Sequence, residues 1–141
     1  MTALTDSLAE GAVQTVLEAG ELLTDPAALR SIRAKSETDY VTNVDVAVQE
    51  FLRERLAALA PDVQFMAEEQ DNSALDLTRP CWILDPVDGT TNLIHSFRHS
   101  AISLALAEGG QAVFGVVYNP YTEECFTARR GGGALRNGVP I

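Results

Sequence analysis

The last third of this chain constrains its fold most, because short apolar runs there alternate with turn dipeptides. Residues 99–108 alternate in part, with Ile102, Leu104 and Leu106 on one face; Gly109-Gly110 then turns the chain, and residues 112–118 run back. That pattern predicts a hairpin. Asn119-Pro120-Tyr121 marks a second turn, residues 123–128 a further strand, residues 130–133 a third turn, and Asn137-Gly138 a last tight one. Upstream, residues 63–66 and the fully apolar run 81–84, which stops at Asp85, read as two more short strands. Strands that follow one another this closely form a meander, so a largely antiparallel sheet is expected.

Two helices are expected before the strands. Leu8, Ala12, Val16, Ala19 and Leu23 recur at steps of three and four, and Thr5 or Asp6 is placed to cap that helix. Asp25-Pro26 reads as a break, and residues 31–35 as a short extended piece. Val44, Val48, Phe51, Leu52, Leu56 and Leu59 make the stripe of a second helix, with Thr42-Asn43-Val44-Asp45 as its capping box and Pro61-Asp62 as its end. The expectation is therefore an α+β fold, two helices packed on one face of a largely antiparallel sheet. The Asn137-Gly138 turn leaves almost no chain to return, so the sequence is expected to be the front part of something longer.

Composition narrows the function. The 141 residues are 46% hydrophobic, enough for one core. Twenty acidic against ten basic residues give a net charge of -10, which disfavours nucleic acid and anionic membrane surfaces as partners. There is no apolar run of 18 residues, and the first ten residues carry two acids and no base, so neither a membrane span nor a secretory signal is expected. Cys81 and Cys125 follow no ligand spacing and read as two buried thiols in a reducing cytoplasm.

Two acidic clusters carry the chemistry. Ala67-Glu68-Glu69-Gln70 follows one expected strand, and Asp85-Pro86-Val87-Asp88-Gly89-Thr90-Thr91-Asn92 follows another. Pro86 and Gly89 favour a tight turn that aims Asp85 and Asp88 at one spot, and Gly89 lets a ligand approach the backbone. If residues 90–95 open a helical turn, its free N–H groups suit a phosphate. Two carboxylates about 5 Å apart repel by roughly 3 kcal/mol at an effective dielectric of 20. Adding Glu68 makes a cluster that holds either a proton or a cation. Oxygen ligands alone favour a hard ion, first Mg²⁺, with Mn²⁺ or Ca²⁺ as the other choices.

The run Trp82-Ile83-Leu84-Asp85-Pro86-Val87-Asp88-Gly89-Thr90-Thr91-Asn92 resembles the signature of the inositol monophosphatase family, the metal-dependent, lithium-sensitive sugar phosphatases. Lys35-Ser36 with the segment from Asp39 to Asp45 is similar to that family's D-x-V-T-x-x-D stretch. Glu68-Glu69 stands at its G-E-E, and Gly115-Val116-Val117-Tyr118 and Gly131-Gly132-Gly133-Ala134 to Asn137-Gly138 resemble its later strands and turn.

The resemblance implies that residues 1–141 are the N-terminal metal-binding domain of such a protein, the N-terminal half of an αβαβα sugar-phosphatase fold. The C-terminal substrate domain would then lie outside the chain. It implies that Glu68 and Asp85, with the backbone carbonyl of Val87, hold a first metal, and that Asp85 and Asp88 contribute to a second. Thr90, hydrogen-bonded to Asp45, would help Glu68 orient the attacking water; backbone N–H groups of Gly89, Thr90 and Thr91 would hold phosphate oxygens. The implied substrate is inositol monophosphate or a related small phosphorylated sugar.

Some positions depart from the family pattern. Ala67 replaces the usual glycine, Leu93 stands where an aromatic is usual, and Arg98 and His99 stand where proline and an apolar residue are common. The family's later W-D motif has no counterpart, since Trp82 is the one tryptophan and Ile83 follows it. The chain alone is therefore expected to bind metal and turn over poorly. Relatives that share the signature act on adenosine bisphosphates or fructose bisphosphate, so these substrates stay open. A haloacid-dehalogenase-type phosphatase is a weaker match, because its D-x-D-G-T is one residue shorter and needs a parallel sheet. A non-catalytic metal-binding or interaction domain is the rival reading; a bare sheet face would self-associate, giving a homodimer. His95 and His99 lack a third zinc ligand, Lys35 stands as a neutralising charge near the acids or a surface residue, and Ser100 and Ser103 have no base to activate them.

Overall fold

The computed structural model describes residues 3–34, 40–68, 70–89 and 98–141. Helices α1 (Asp6–Ala19), α2 (Glu21–Thr24), α3 (Pro26–Ala34) and α4 (Tyr40–Leu59) precede strands β1 (Gln64–Ala67), β2 (Cys81–Asp88), β3 (Ala101–Glu108), β4 (Gln111–Asn119), β5 (Glu124–Arg129), β6 (Gly133–Arg136) and β7 (Val139–Pro140). The strands lie side by side in chain order in one sheet. Every neighbouring pair is antiparallel except β1 and β2, which run parallel. The α+β class expected from the sequence is the class observed.

The core sits where the helices meet the sheet. Ile102, Leu104 and Leu106 alternate along β3 and are all but sealed from solvent. Leu104 and Leu106 are flanked in register by Leu84 and Trp82 of β2 and by Val116 and Phe114 of β4. The α1 stripe Ala12, Val16 and Ala19 and the α4 stripe Val44, Val48, Leu52 and Leu56 close over them. Each fully buried leucine or isoleucine contributes about 1.5–3 kcal/mol. The other face of the sheet carries Ile83, Val117 and Phe126, which are 41%, 42% and 37% exposed.

Thr5 is the α1 cap, its side-chain oxygen accepting from Leu8 N–H at 3.0 Å. Three local expectations are corrected. Residues 31–34 belong to helix α3 and are not extended. The break expected at Asp25-Pro26 is present and also starts that helix: Asp25 is the extended residue that ends α2, its Oδ1 accepts from Ala27 N–H at 2.9 Å, and Pro26 is the first residue of α3, where a missing N–H costs nothing. Thr42 lies inside α4, which begins at Tyr40, so it is not the cap of a box. The run from Cys81 does not stop at Asp85; β2 carries on to Asp88 through a bulge.

The glycine-marked hairpins form as expected. Gly109 and Gly110 both take positive φ, 57° and 77°, the backbone that a two-residue hairpin turn demands. Asn137 and Gly138, at 50° and 82°, do the same between β6 and β7, whose two residues supply the return. Cys81 and Cys125 are buried free thiols, as expected, and burial pushes both thiol pKa values up. Among the described residues, no helix is long and apolar enough to cross a membrane.

Candidate active site

The one parallel pair places the acids. β1 and β2 run in register with Ala67 opposite Leu84, so Glu68 and Asp85 are the next residues along two neighbouring strands that end on the same side. The ordinary inter-strand spacing of about 4.8 Å sets the scale of their separation. Parallel strands need a crossover of about a dozen residues or more, commonly a helix. Among the described residues between the two strands, 68 and 70–80, there is no helix, and side-chain hydrogen bonds hold their turns. Asp71 Oδ1 accepts from Ser73 N–H at 2.9 Å, and Asp76 Oδ1 accepts from Thr78 N–H at 3.0 Å and from its hydroxyl at 2.6 Å. The Ser73 backbone N–H lowers the Asp71 carboxyl pKa, and the Thr78 hydroxyl lowers that of Asp76.

The bulge in β2 settles where the two aspartates point. Residues three apart on a regular strand face opposite sides of the sheet. Asp85 lies opposite Ser103 and Asp88 opposite Ala101, only two residues apart on β3, so β2 holds one extra residue between them. Pro86 and Val87 both turn inward and are buried, while Asp85 is half-buried and Asp88 exposed. Both aspartates therefore share the face that also bears Ile83. In place of the tight turn expected from Pro86 and Gly89 there is thus a bulge, which puts both aspartates on one face of the sheet. Pro86 has no N–H to give a ladder, and a bulge is a position where that omission is tolerated. Gly89 then leaves the strand at φ 91°, a conformation that favours glycine.

Glu68 is exposed at the end of β1. Asp45 sits near the start of α4, the helix that packs on β2; its Oδ1 is shut off from solvent, as is Oδ1 of Asp85. Among the described residues, no three His, Cys, Asp or Glu side chains close into a group arranged to hold a metal ion. Glu68, Asp85 and Asp88 come to one end of the strand pair without gathering into such a group. Thr90 and Thr91, with Lys35, Asp39, Glu69, Asn92, Leu93 and His95, lie outside the described residues. The donor set nevertheless fits a hard divalent cation by its chemistry. Three carboxylates and the main-chain carbonyl of buried Val87 offer only oxygen.

Side chains to which the sequence assigned no structural role hold this end of the sheet in place. The Asn72 carboxamide pairs with both backbone groups of Ala67, accepting from its N–H at 3.3 Å and donating to its carbonyl at 2.8 Å. Gln70 Nε2 donates to Phe65 O at 2.7 Å and to Asn72 Oδ1 at 2.9 Å. Together they act as a substitute strand along β1 just before Glu68. Across β2, buried Ser100 donates its hydroxyl hydrogen to Gly89 O at 3.0 Å. No sequence signal marks these roles, because each residue acts through a register or loop path that only the fold defines. His99, exposed ahead of β3 and outside any helix, stands 3.4 Å from the Asn119 carboxamide nitrogen. Arg98 stacks its guanidinium 5.1 Å from the Tyr121 ring centre.

An acid-bearing end of a parallel strand pair, set in an otherwise antiparallel α+β sheet, invites comparison with known proteins. The family model that matches, over residues 4–141, is that of the inositol monophosphatase family, and the chain belongs to that family. It is 40% identical over 128 residues to an inositol-1-monophosphatase of Rhizobium meliloti (strain 1021), covering 89% of this chain and 48% of the relative. It is 38% identical over 142 aligned positions to an inositol monophosphatase of Mesembryanthemum crystallinum, covering 98% and 52%. Among solved structures, the extragenic suppressor protein suhB from Bartonella henselae superposes with a TM-score of 0.81 at 32% identity, over 96% of this chain and 53% of that one. Inositol monophosphatase II from Staphylococcus aureus MSSA476 superposes with a TM-score of 0.84 at 29% identity, over 97% and 52%. The chain spans about half the length of the curated relatives it matches.

Proposed function

We propose that this chain is the metal- and phosphate-holding part of a magnesium-dependent phosphomonoesterase acting on inositol monophosphate or a related sugar phosphate. The observation that carries the reading is the placement of Glu68, Asp85 and Asp88 at one end of the β1–β2 pair, with the Gly89 turn next to them. Family membership supports the hydrolase class, and the relatives' names support the substrate class. Glu68, Asp85 and the Val87 carbonyl would hold a first Mg²⁺, and Asp85 with Asp88 would contribute to a second; Mn²⁺ and Ca²⁺ suit the same oxygens. Bound there, such ions lower the pKa of water and neutralise phosphate charge.

The chain's own groups do the rest. Glu68 and Thr90, the latter backed by Asp45, orient the attacking water, and the N–H groups of Gly89, Thr90 and Thr91 bind the phosphate oxygens. A cytoplasmic location and sensitivity to lithium go with this reading. Adenosine bisphosphates and fructose bisphosphate remain rival substrates, since the signature is common to all three.

Calorimetric titration with MgCl₂ and MnCl₂ tests the site, and phosphate release from the three substrate classes tests the activity. Heat in the wild type that Asp85→Asn removes is expected. Well-folded wild-type chain that gives no heat with either ion would falsify the reading. A second reading, an interaction domain that pairs with its own copy as a homodimer, is favoured by one observation, the exposed Ile83, Val117 and Phe126 on the open face of the sheet.

A further inference from the structure

We propose that Asn72 is a positioning residue for the metal ligand Glu68, an inference that rests on the metal-site reading above. β1 is the outermost strand of the sheet, so among the described residues no strand pairs the backbone groups of its far edge. At the acid-bearing end, side chains take them instead. Asn72 Oδ1 accepts from Ala67 N–H at 3.3 Å, and Asn72 Nδ2 donates to Ala67 O at 2.8 Å, the exchange of both bonds that a neighbouring strand would make. Gln70 Nε2 donates to Asn72 Oδ1, which leaves the amide nitrogen for the Ala67 carbonyl. The clamp has its own footing: Ser73 N–H turns back to the Asp71 carboxylate, and Leu75 N–H donates to Asn72 O at 3.2 Å.

The clamp closes one residue before Glu68. The Ala67 carbonyl and the Glu68 N–H belong to one planar peptide group, so fixing that oxygen fixes the plane from which Glu68 departs. Ala67 and its partner Leu84 both face the core. One further residue in strand geometry therefore carries Glu68 to the opposite face, the face of Asp85. A carboxylate held in direction before an ion arrives needs less ordering on binding, so a loosened clamp lowers affinity for the ion. The other end of β1 supplies a control. There the Gln64 carboxamide makes the same kind of pair with Asp76, accepting from its N–H at 2.8 Å and donating to its carbonyl at 2.7 Å. Gln64 stands about 13 Å of strand before Glu68.

The test compares the wild-type chain with Asn72→Ala and Gln64→Ala in urea unfolding and in Mn²⁺ titrations read by water-proton relaxation. The uptake that counts is the part that Asp85→Asn removes. Both alanine variants should lower the urea midpoint, since each loses a pair of backbone-bound hydrogen bonds. Asn72→Ala should bind Mn²⁺ about three- to tenfold more weakly, at or below the roughly tenfold lost with a partner that touches a ligand directly. Gln64→Ala should stay within about twofold of wild type, as an independent site does. Should Asn72→Ala not fold, Asn72→Ser is judged on the same comparison. Mn²⁺ affinity equal to wild type in the Asn72 variant, or an equal loss in Gln64→Ala, overturns the role of Asn72 alone. Wild-type chain whose Mn²⁺ uptake is absent, or unchanged by Asp85→Asn, fails one step earlier and overturns the metal-site reading together with the role drawn from it.

Discussion

Replacing Asp88 with asparagine separates the charge effect of the acidic end from its structural one. Asp85 and Asp88 face the same side of β2 opposite Ser103 and Ala101. Two residues of strand span about 7 Å. Two unit charges at that separation repel by roughly 0.6 kcal/mol in bulk water and roughly 2.4 kcal/mol at an effective dielectric of 20. Asp88 is exposed, so the lower end applies, and the chain's net charge of -10 adds a diffuse term of the same sign. Asp88→Asn should therefore stabilise the metal-free chain by about 0.5–1 kcal/mol, a rise of roughly 2–3 °C in Tm for a chain of this size. Magnesium should reverse the order. A ligand at a hundred times its Kd stabilises the wild type by about 2.7 kcal/mol, and a variant that has lost a ligand gains less. Calorimetric scans in EDTA and in excess MgCl₂, at low and high NaCl, show both effects; salt should shrink the EDTA difference and leave the magnesium gain. A variant that melts lower in EDTA, or one that gains as much from magnesium as the wild type, refutes the claim that these carboxylates share a face and an ion.

Other outcomes follow from the packing. A Cβ at Gly20 would stand 2.5 Å from Tyr118 Cε2 and 3.1 Å from Pro120 Cβ, so Gly20→Ala should lower the urea midpoint, with an overpacking cost of about 1–3 kcal/mol. At Gly11 the neighbour is the tip of exposed Leu59, at 3.0 Å, and Gly11→Ala should be neutral or stabilising by up to about 1 kcal/mol of helix propensity; the reverse ranking of the two variants counts against the packing described. Burial raises the folded pKa of the Cys81 and Cys125 thiols. Their contribution is whole below the ordinary thiol pKa of about 8.5 and lost as pH rises towards their folded values. The urea midpoint should fall between pH 8 and 10, and fall less in the Cys81→Ser/Cys125→Ser double variant; equal slopes would remove the thiols from the account. Val117→Lys on the open sheet face should reduce self-association in sedimentation runs while leaving the Tm near that of wild type, whereas unchanged sedimentation denies that face a role in pairing.

What the sequence made legible was mostly local. Gly109-Gly110 and Asn137-Gly138 need positive φ at two successive residues, a demand that glycine and asparagine announce by themselves. The stripes Ala12-Val16-Ala19 and Val44-Val48-Leu52-Leu56 carry the helix period on their face, and the structure buries those side chains together with Leu8, Ala9, Thr15 and Gln49, while Leu59 of the expected second stripe is exposed. Asp25-Pro26 announced a break, and the structure has one there, but the same dipeptide both ends one helix and starts another. The start shows in the hydrogen bond from Ala27 N–H to the Asp25 carboxylate, absent from any one-dimensional pattern. The parallel pairing of β1 with β2 was equally hidden, since the described residues of its crossover include no helix of the kind that usually announces one.

The candidate site shows the same division more sharply. The residue types in Asp85-Pro86-Val87-Asp88-Gly89 are readable as oxygen ligands beside a turn, but their spacing argues against a shared face if β2 is regular. The contradiction is resolved by the neighbour strand: Ser103 and Ala101 count two where β2 counts three. Pro86 is what makes the surplus residue stable there, since a residue without an N–H loses nothing where the ladder is already broken. The motif thus carries its own distortion, and the distortion is what puts its two aspartates on one face. It follows that shortening the bulge by one residue would keep Asp85 and Asp88 on one face, at a regular spacing of two. It would, however, remove the inward turn of Val87 and the exit angle at Gly89. A chain so altered should keep its fold and the mutual repulsion of its two aspartates and lose the phosphate affinity proposed for it, as read by calorimetric titration with inorganic phosphate, which separates the placing of charge from the shaping of the turn.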